Sequence, residues 1–346
     1  MPSFAQRLIA WQRRQGRHDL PWQNTDDAYR VWLSEIMLQQ TQVATVIPYY
    51  QRFLARFPDL PSLAAADSEA VMGLWSGLGY YARARNLHAC AKAVMAAHGG
   101  AFPRDPEAIA ALPGIGRSTA NAIADFCFGA RLAILDGNVK RLLCRHAGVD
   151  GFPGSPAVER RLWQLAESLL PRDQVDRYIQ AQMDLGATVC ARSRPRCGEC
   201  PVAGDCVARQ SGRTGELPAP RPRRILPERE LTVLLLICGD RVLLEQRPPA
   251  GIWGGLMSLP ELPDGSTAAG AVAARGLRLA GEAQALQPLS HTFTHFTLRI
   301  QPLRCLVAGA AAVADQALRW LGRDALEEAP LPAPIRRLLQ TGWTGD

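Results

Sequence analysis

Four of the chain's nine cysteines, Cys190, Cys197, Cys200 and Cys206, fall in one C-x6-C-x2-C-x5-C run. Four thiolates converging on one centre read as a metal site, because thiolate is a soft ligand for zinc or iron. Disulfides are the poorer explanation: the other cysteines, at 90, 127, 144, 238 and 305, are scattered, and Met1 to Trp11 shows no secretory signal. Zinc usually draws its thiolates from two short C-x2-C knuckles, whereas one knuckle flanked by wider gaps suits a cuboidal iron-sulfur cluster; zinc is the alternative. The neighbouring Arg192, Arg194 and Arg196 point to phosphate contact, and with no redox partner motif visible a structural cluster loop is expected rather than electron transfer.

A second constellation is Leu112-Pro113-Gly114-Ile115-Gly116-Arg117-Ser118-Thr119-Ala120, a glycine hairpin between two helical stretches. Gly114 and Gly116 let the backbone turn tightly and approach a ligand. The amides that open the following helix favour an anion such as a nucleic-acid phosphate. A plain helix-turn-helix connection is the competing reading.

Two carboxylates stand out. Glu35 lies at the edge of the apolar stripe Tyr29, Trp32, Leu33, Ile36 and Met37, where partial burial would let its carboxyl keep a proton near neutrality. Read alone, a helical glutamate is more often a solvated face residue. Asp136 sits in the turn before a helix running through Val139, Leu142 and Leu143, where it would cap the helix and contribute about 1 kcal/mol. A fixed carboxylate there could also stabilise a developing positive charge, as in glycoside hydrolysis.

The scaffold for these residues is bounded by composition. At 346 residues, 47% hydrophobic and 21% charged, the chain is globular and long enough for two domains, which excludes a disordered or fibrous protein. Its most apolar run, Leu231 to Cys238, is far short of the roughly 20 residues of a membrane helix, so no membrane association and a cytoplasmic location are expected. Residues 1–212 hold 24 Lys+Arg against 19 Asp+Glu, and residues 231–346 hold 10 of each. A basic first part suits a polyanion. Three- and four-residue apolar spacing from residue 3 to about 190 predicts an all-helical domain, 1–211. Residues 212–228, with Pro218, Pro220, Pro222 and Pro227, read as a linker. Residues 229–346 read as a mixed α and β domain: strands Leu231 to Ile237 and Arg241 to Glu245 around Gly239-Asp240, a helix from Ala268 to Leu279, and a strand pair or long strand from His291 to Leu303.

The whole hairpin string resembles the helix-hairpin-helix of DNA repair glycosylases. Joined with Asp136 and the terminal cysteine run, it is similar to the endonuclease III superfamily over about Phe4 to Arg209. Three long stretches, Val31 to Val43, Gly77 to Arg85 and Ile134 to Arg141, resemble its adenine glycosylase branch, known as the MutY family. The resemblance implies a 4Fe-4S cluster on the four cysteines and double-stranded DNA with adenine opposite 8-oxoguanine or guanine as substrate. It makes Glu35 the acid that protonates adenine at N7, and Asp136 the stabiliser of, or nucleophile toward, the oxocarbenium-like sugar. Gln40 and Tyr80 match residues that fill the duplex when the base leaves. Trp22 and Gln180 are expected in the adenine pocket. Leu112, Gly114, Gly116, Asn138 and Lys140 are expected at the DNA; alone, Lys140 would be a phosphate contact. Ser118 stands where strand-cutting relatives carry a lysine nucleophile, and a hydroxyl cannot form a Schiff base, so the expected enzyme is monofunctional.

Gly251 to Pro260 followed by a helix resembles the Nudix fold of nucleotide pyrophosphohydrolases. An active version needs a glutamate-rich helix for magnesium, and Ala268 to Leu279 contains no carboxylate, so a binding module is expected. Phe293, Thr294 and His295, within Ser290 to Phe296, resemble the loop that senses oxidised guanine, with Thr294 where serine is common. Three other readings carry less weight. A strand-cutting thymine-glycol enzyme would need lysine at 118, a DNA-binding protein that has lost activity would not keep both carboxylates, and a pyrophosphohydrolase would need an acidic helix. A monomer is expected, with the linker available to other repair proteins.

Overall fold

The computed structural model describes residues 2–222, 225–248, 251–309, 317–327 and 329–343. Its contacts gather the chain into two compact units, one from 1–64 and 89–223, the other from 65–88 and 224–346. The sequence-based limits 1–211, 212–228 and 229–346 divide the chain by order along it, and the contacts depart from that division at residues 65–88.

Fourteen α-helices are described: α1 Phe4–Gln15, α2 Ala28–Leu38, α3 Val43–Arg56, α4 Leu60–Ala65, α5 Ser68–Trp75, α6 Ala82–His98, α7 Pro106–Ala110, α8 Arg117–Phe128, α9 Gly137–Ala147, α10 Pro156–Ser168, α11 Val175–Thr188, α12 Val207–Gln210, α13 Ala268–Ala273 and α14 Ala333–Gly342. The strands are β1 Glu228–Cys238, β2 Arg241–Gln246, β3 Met257–Ser258, β4 Gln284–Ala285, β5 Leu289–Thr292, β6 Thr297–Leu306 and β7 Leu318–Gly322.

The first unit is helical. Helix α2 starts where the Asp27 side chain accepts from the Tyr29 amide. It buries Tyr29, Val31, Trp32, Leu33, Ser34, Ile36 and Met37, leaving the strip that carries Glu35 and Leu38 only partly covered. Helices α1, α9 and α11 close around a core that includes Leu8, Leu143, Leu162 and Leu185, all fully buried. Each such leucine contributes roughly 1.5–3 kcal/mol through apolar burial. The hairpin between α7 and α8 turns at Gly114, whose φ of 76° is left-handed, while Leu112 and Ile115 are buried beneath it. Helix α8 ends on Gly129 and α9 on Gly148, both left-handed caps.

The second unit is a sheet of order β3-β2-β1-β6-β4, with β5 paired to β6 and β7 to β2. Strands β1 and β6 run parallel from Glu228↔Thr297 to Ile237↔Leu306, and β1 turns into β2 antiparallel at Gly239-Asp240, the hairpin read from the sequence. Val233 to Ile237 are buried without alternation, as a strand covered on both faces requires. Leu234 and Leu236 pack with Ala271 and Val272 of α13, while Leu235 lies so near Gly342 of α14 that an added Cβ would sit 3.2 Å from its methyl. The expected helix from Ala268 to Leu279 is shorter: α13 closes at Ala273, Gly276 turns left-handed at φ 71°, and Leu277 returns its amide to Val272. Residues 291–303 form the strand pair β5 and β6 around a turn at 293–296.

Residues 65–88 join this sheet unit through side-chain bonds invisible to periodicity. Arg319 pairs with Glu69 at 2.9 Å, Arg336 donates to the Ser76 hydroxyl at 3.1 Å, and Arg85 donates to the Gly254 carbonyl at 2.7 Å. The Tyr81 hydroxyl donates to the Leu331 carbonyl at 3.3 Å.

Candidate active site

In the helical unit, the uncovered strip of α2 opens on a cavity of about 280 Å³ lined by Trp22, Glu35 and Gln180, with Arg17, Leu38 and Met183. Trp22 stands edge-on to Tyr50, ring centroids 5.3 Å apart, which fixes its plane as one wall. Burial, with the Asp136 carboxylate as the second cause, pushes the Glu35 carboxyl up to about 7. Glu35 can therefore carry a proton at neutral pH and lose it to a base placed in the cavity.

Asp136 is the N-cap of α9: one carboxylate oxygen accepts from the Val139 amide at 2.7 Å and the other from the Asn138 side-chain amide at 3.2 Å. Burial raises its pKa, and the Val139 amide, the Arg141 guanidinium and Asn138 act against that rise. Asn138 is held in turn by Arg141 at 2.8 Å, and Arg141 also donates to the carbonyls of Gly186 and Cys190, at 2.7 and 2.8 Å. This layer needs a glycine at 186, since a Cβ there would lie 2.5 Å from the Asn138 Cβ. The Ser118 hydroxyl accepts from the Leu135 amide at 2.9 Å, tying the start of α8 to the residue before Asp136.

Helix α8 begins on Gly116 without a side-chain cap, so its opening amides remain available to an anion. Arg117 beside them is paired with Glu167 at 2.6 Å and lies 3.9 Å over the Trp163 ring. Lys140, read from the sequence as a phosphate contact, pairs with Glu159 at 2.6 Å and is largely covered. Cys190, Cys197, Cys200 and Cys206 all line one further cavity, and Cys200 feels the other three thiols, a minor effect beside the burial that pushes it up to about 11. Arg145, only 3% exposed, donates to the Cys190 sulfur at 3.4 Å and to the carbonyls of Cys190, Ala191, Arg192 and Leu217. A buried cation amid these groups suits an anionic occupant. Among the described residues no three His, Cys, Asp or Glu side chains are arranged to hold a metal ion.

Residues 33–168 match the family model of the helix-hairpin-helix superfamily of base excision DNA repair proteins, and residues 232–341 match that of the NUDIX domain. The adenine DNA glycosylase of Buchnera aphidicola subsp. Baizongia pistaciae is 33% identical over 338 residues, covering 97% of this chain and 95% of that one. The human adenine DNA glycosylase is 34% identical over 408 aligned positions, 98% of this chain and 73% of that one. The chain belongs to the adenine DNA glycosylase family. Among solved structures, a thermostable thymine-DNA glycosylase matches with a TM-score of 0.55 at 27% identity, covering 60% of this chain and 95% of that one. An endonuclease III bound to DNA matches with a TM-score of 0.51 at 19% identity over 59% of this chain and 94% of that one, a likeness of fold.

As an adenine DNA glycosylase the protein is a DNA N-glycosylase of base excision repair, with a helix-hairpin-helix unit and a Nudix-like sheet unit. Its substrate is DNA, and among the described residues no helix is long and apolar enough to cross a membrane. Glu35, Trp22 and Gln180 share one cavity, and Asp136 lies near enough to Glu35 to influence its titration. Gln40 is exposed with φ 59°, and Tyr80, in the sheet unit, is 51% exposed with φ 51°. Both wedge candidates thus hold a left-handed backbone that non-glycine residues rarely adopt. Phe293, Thr294 and His295 form the turn between β5 and β6. Phe293 stacks on Phe296 at 4.6 Å, and the Thr294 hydroxyl lies 3.3 Å from His295 Nδ1. The sequence reading omitted Arg17 and Asp184. The signal was present in part: a charged residue four positions after Gln180 on a helix, among buried Ala181 and Leu185.

Proposed function

We propose that the enzyme removes adenine paired with 8-oxoguanine or guanine in duplex DNA, without cutting the strand. The observation that carries the reading is a carboxyl raised to about 7 in the wall of a base-sized cavity, close to a second, half-buried carboxylate. The target adenine leaves the stack and enters between Trp22 and the α2 strip. Glu35 gives its proton to N7, the bond from C1′ to N9 breaks, and its electron pair leaves with the neutral base. The cationic sugar is stabilised by Asp136, and an ion pair or an ester at C1′ uses the same oxygens. Water then adds to C1′ and releases a proton, leaving an abasic site. Ser118 offers no amine for a Schiff base, which supports the monofunctional reading.

The four cysteines fit a 4Fe-4S cluster: they share a cavity, their set is all thiolate, and a buried arginine donates to one of them. A zinc ion would need all four within about 2.3 Å of one point, whereas each iron of a cuboidal cluster takes one thiolate. When bound, the cluster supplies a crosslink for the loop that carries Arg192, Arg194 and Arg196. In the sheet unit, the turn of Phe293, Thr294 and His295 reads the base opposite adenine, with exposed hydroxyl and imidazole groups suited to an oxidised purine edge. The test is single-turnover cleavage of a duplex with one adenine opposite 8-oxoguanine, developed with and without alkali. Breaks only after alkali are the expected result; intact DNA under both treatments would remove the substrate assignment.

A further inference from the structure

Asp184 is fully buried, yet its partners lead to the base cavity rather than to the surface. Oδ1 accepts from Arg17 Nε at 2.8 Å and from Gln180 Nε2 at 2.9 Å, and it lies 2.8 Å from Arg17 Nη2 as an ion pair. Oδ2 accepts from the Arg17 backbone amide at 3.0 Å. Arg17 and Gln180 both line the cavity that holds Glu35. A carboxylate held against a guanidinium only accepts hydrogen bonds. Of the two ends of the Gln180 amide, only the amino end can face it; the reverse orientation would set the amide oxygen against carboxylate lone pairs.

We infer that Asp184 is a positioning residue that fixes the Gln180 amide with its oxygen toward the base, making the wall an acceptor for an exocyclic amine. The inference rests on the proposed adenine-excision reading and adds a source of base discrimination to it. Adenine carries an amino donor at C6, whereas hypoxanthine and guanine carry a carbonyl acceptor. A fixed acceptor pairs with the first and opposes the others, and a site with buried polar groups discriminates by leaving the wrong partner unpaired. Without Asp184 the amide could turn and offer its amino group to a carbonyl. Arg17, held by two hydrogen bonds and an ion-pair contact to the same carboxylate, keeps the wall rigid while leaving the amide one orientation.

The test compares single-turnover excision of adenine, purine and hypoxanthine from otherwise identical duplexes, using wild type and Asp184→Asn with the metal content verified. Taking each variant's rate relative to wild type cancels the different bond strengths of the three nucleosides. A side-chain amide in place of the carboxylate can accept or donate, so the expected result is a fall of about tenfold or more in the adenine-to-hypoxanthine ratio, with purine changing in parallel with overall rate. Gln180→Leu should lower the ratio comparably, and adding Asp184→Asn to it should change the ratio no further. An unchanged ratio in a folded Asp184→Asn protein would overturn the inference and leave Asp184 a purely structural tie. Should that variant fail to fold, wild type can be tested for binding to duplexes with non-cleavable 2′-fluoro analogues. The expected affinity order is adenine, then purine, then hypoxanthine, and hypoxanthine binding as tightly as adenine would overturn it. Failure of wild type to excise adenine at all would instead count against the proposed function.

Discussion

The base cavity of the helical unit and the aromatic turn of the sheet unit handle polar groups in opposite ways. Around Glu35 and Asp136 the carboxyls are shifted upward by burial and pinned by amides and a guanidinium. At 293–296 the hydroxyl and imidazole of Thr294 and His295 are exposed, and their support is a stack of rings, Phe293 on Phe296 with Trp253 at 6.2 Å. Bond breaking needs a proton held where water would remove it, so it needs burial. Reading a base needs donors that stay solvated until DNA arrives, so it needs exposure and a stiff backing.

The sharpest way to break the comparison is Glu35→Gln. Loss of the proposed general acid should lower the single-turnover rate by about 10³-fold or more while leaving DNA affinity intact; appreciable residual turnover would remove Glu35 from the mechanism. In wild type the rate should fall as pH rises through about 7, because the carboxyl must be protonated to act. Stability follows the same sign. A group whose pKa is raised by folding stabilises fully below its ordinary value of 4.5, and that contribution is lost as pH rises through about 7. Above that range Glu35→Gln should therefore be more stable than wild type by about 2 kcal/mol, the full shift being reduced because the group is partly open to the cavity. The measurement is the denaturation midpoint of both proteins across pH.

Asp136→Asn separates cap from chemistry at the carboxylate that influences the titration of Glu35. Asparagine caps a helix about as well as aspartate, so stability should change by less than about 1 kcal/mol. Losing the charge opposite the sugar cation should still lower the rate about 10²- to 10³-fold. Equal losses in melting temperature and rate would mean that Asp136 serves as a cap only.

Removing Phe293 or His295 to alanine probes the other side of the comparison. The expected change is a drop of about tenfold in the preference for adenine opposite 8-oxoguanine over adenine opposite guanine, from lost stacking or polar contact. Glu35-dependent chemistry on a saturated guanine-paired duplex should be unchanged. Rates equal to wild type on both duplexes would place recognition elsewhere.

What could be read from the sequence follows this same division. The cap before α9 at Asp136 and the cysteine knuckle are visible in local spacing, whereas Glu35 at its stripe edge reads alone as a solvated residue and takes its role from the family resemblance of Val31 to Val43. The Arg17 to Asp184 tie joins residues 167 positions apart, so no window of sequence holds it. Gly186 looks like a poor helix residue until the Asn138 Cβ appears against it. The docking of residues 65–88 with the sheet unit escaped notice because helical periodicity tells that α5 has an apolar face but not which surface covers it. The shortened α13 was hidden for the opposite reason: its alanines favour helix, and Gly276 with the Leu277 to Val272 bond ends it locally.

Ser118→Ala has the smallest expected effect and tests how far the pocket depends on its frame. The hydroxyl accepts from the Leu135 amide, one residue before Asp136. Alanine leaves that amide without its partner, a loss of about 1 kcal/mol if the site stays closed to water. Because Asp136 keeps its bonds to Val139 and Asn138, the carboxylate should shift little, and the rate should fall only about two- to fivefold. Strand cleavage should stay absent, since alanine supplies no amine either. A loss approaching that of Asp136→Asn would show that Leu135, and not the cap of α9, sets the carboxylate's position, and would move the rigid part of the site from the helix to the hairpin.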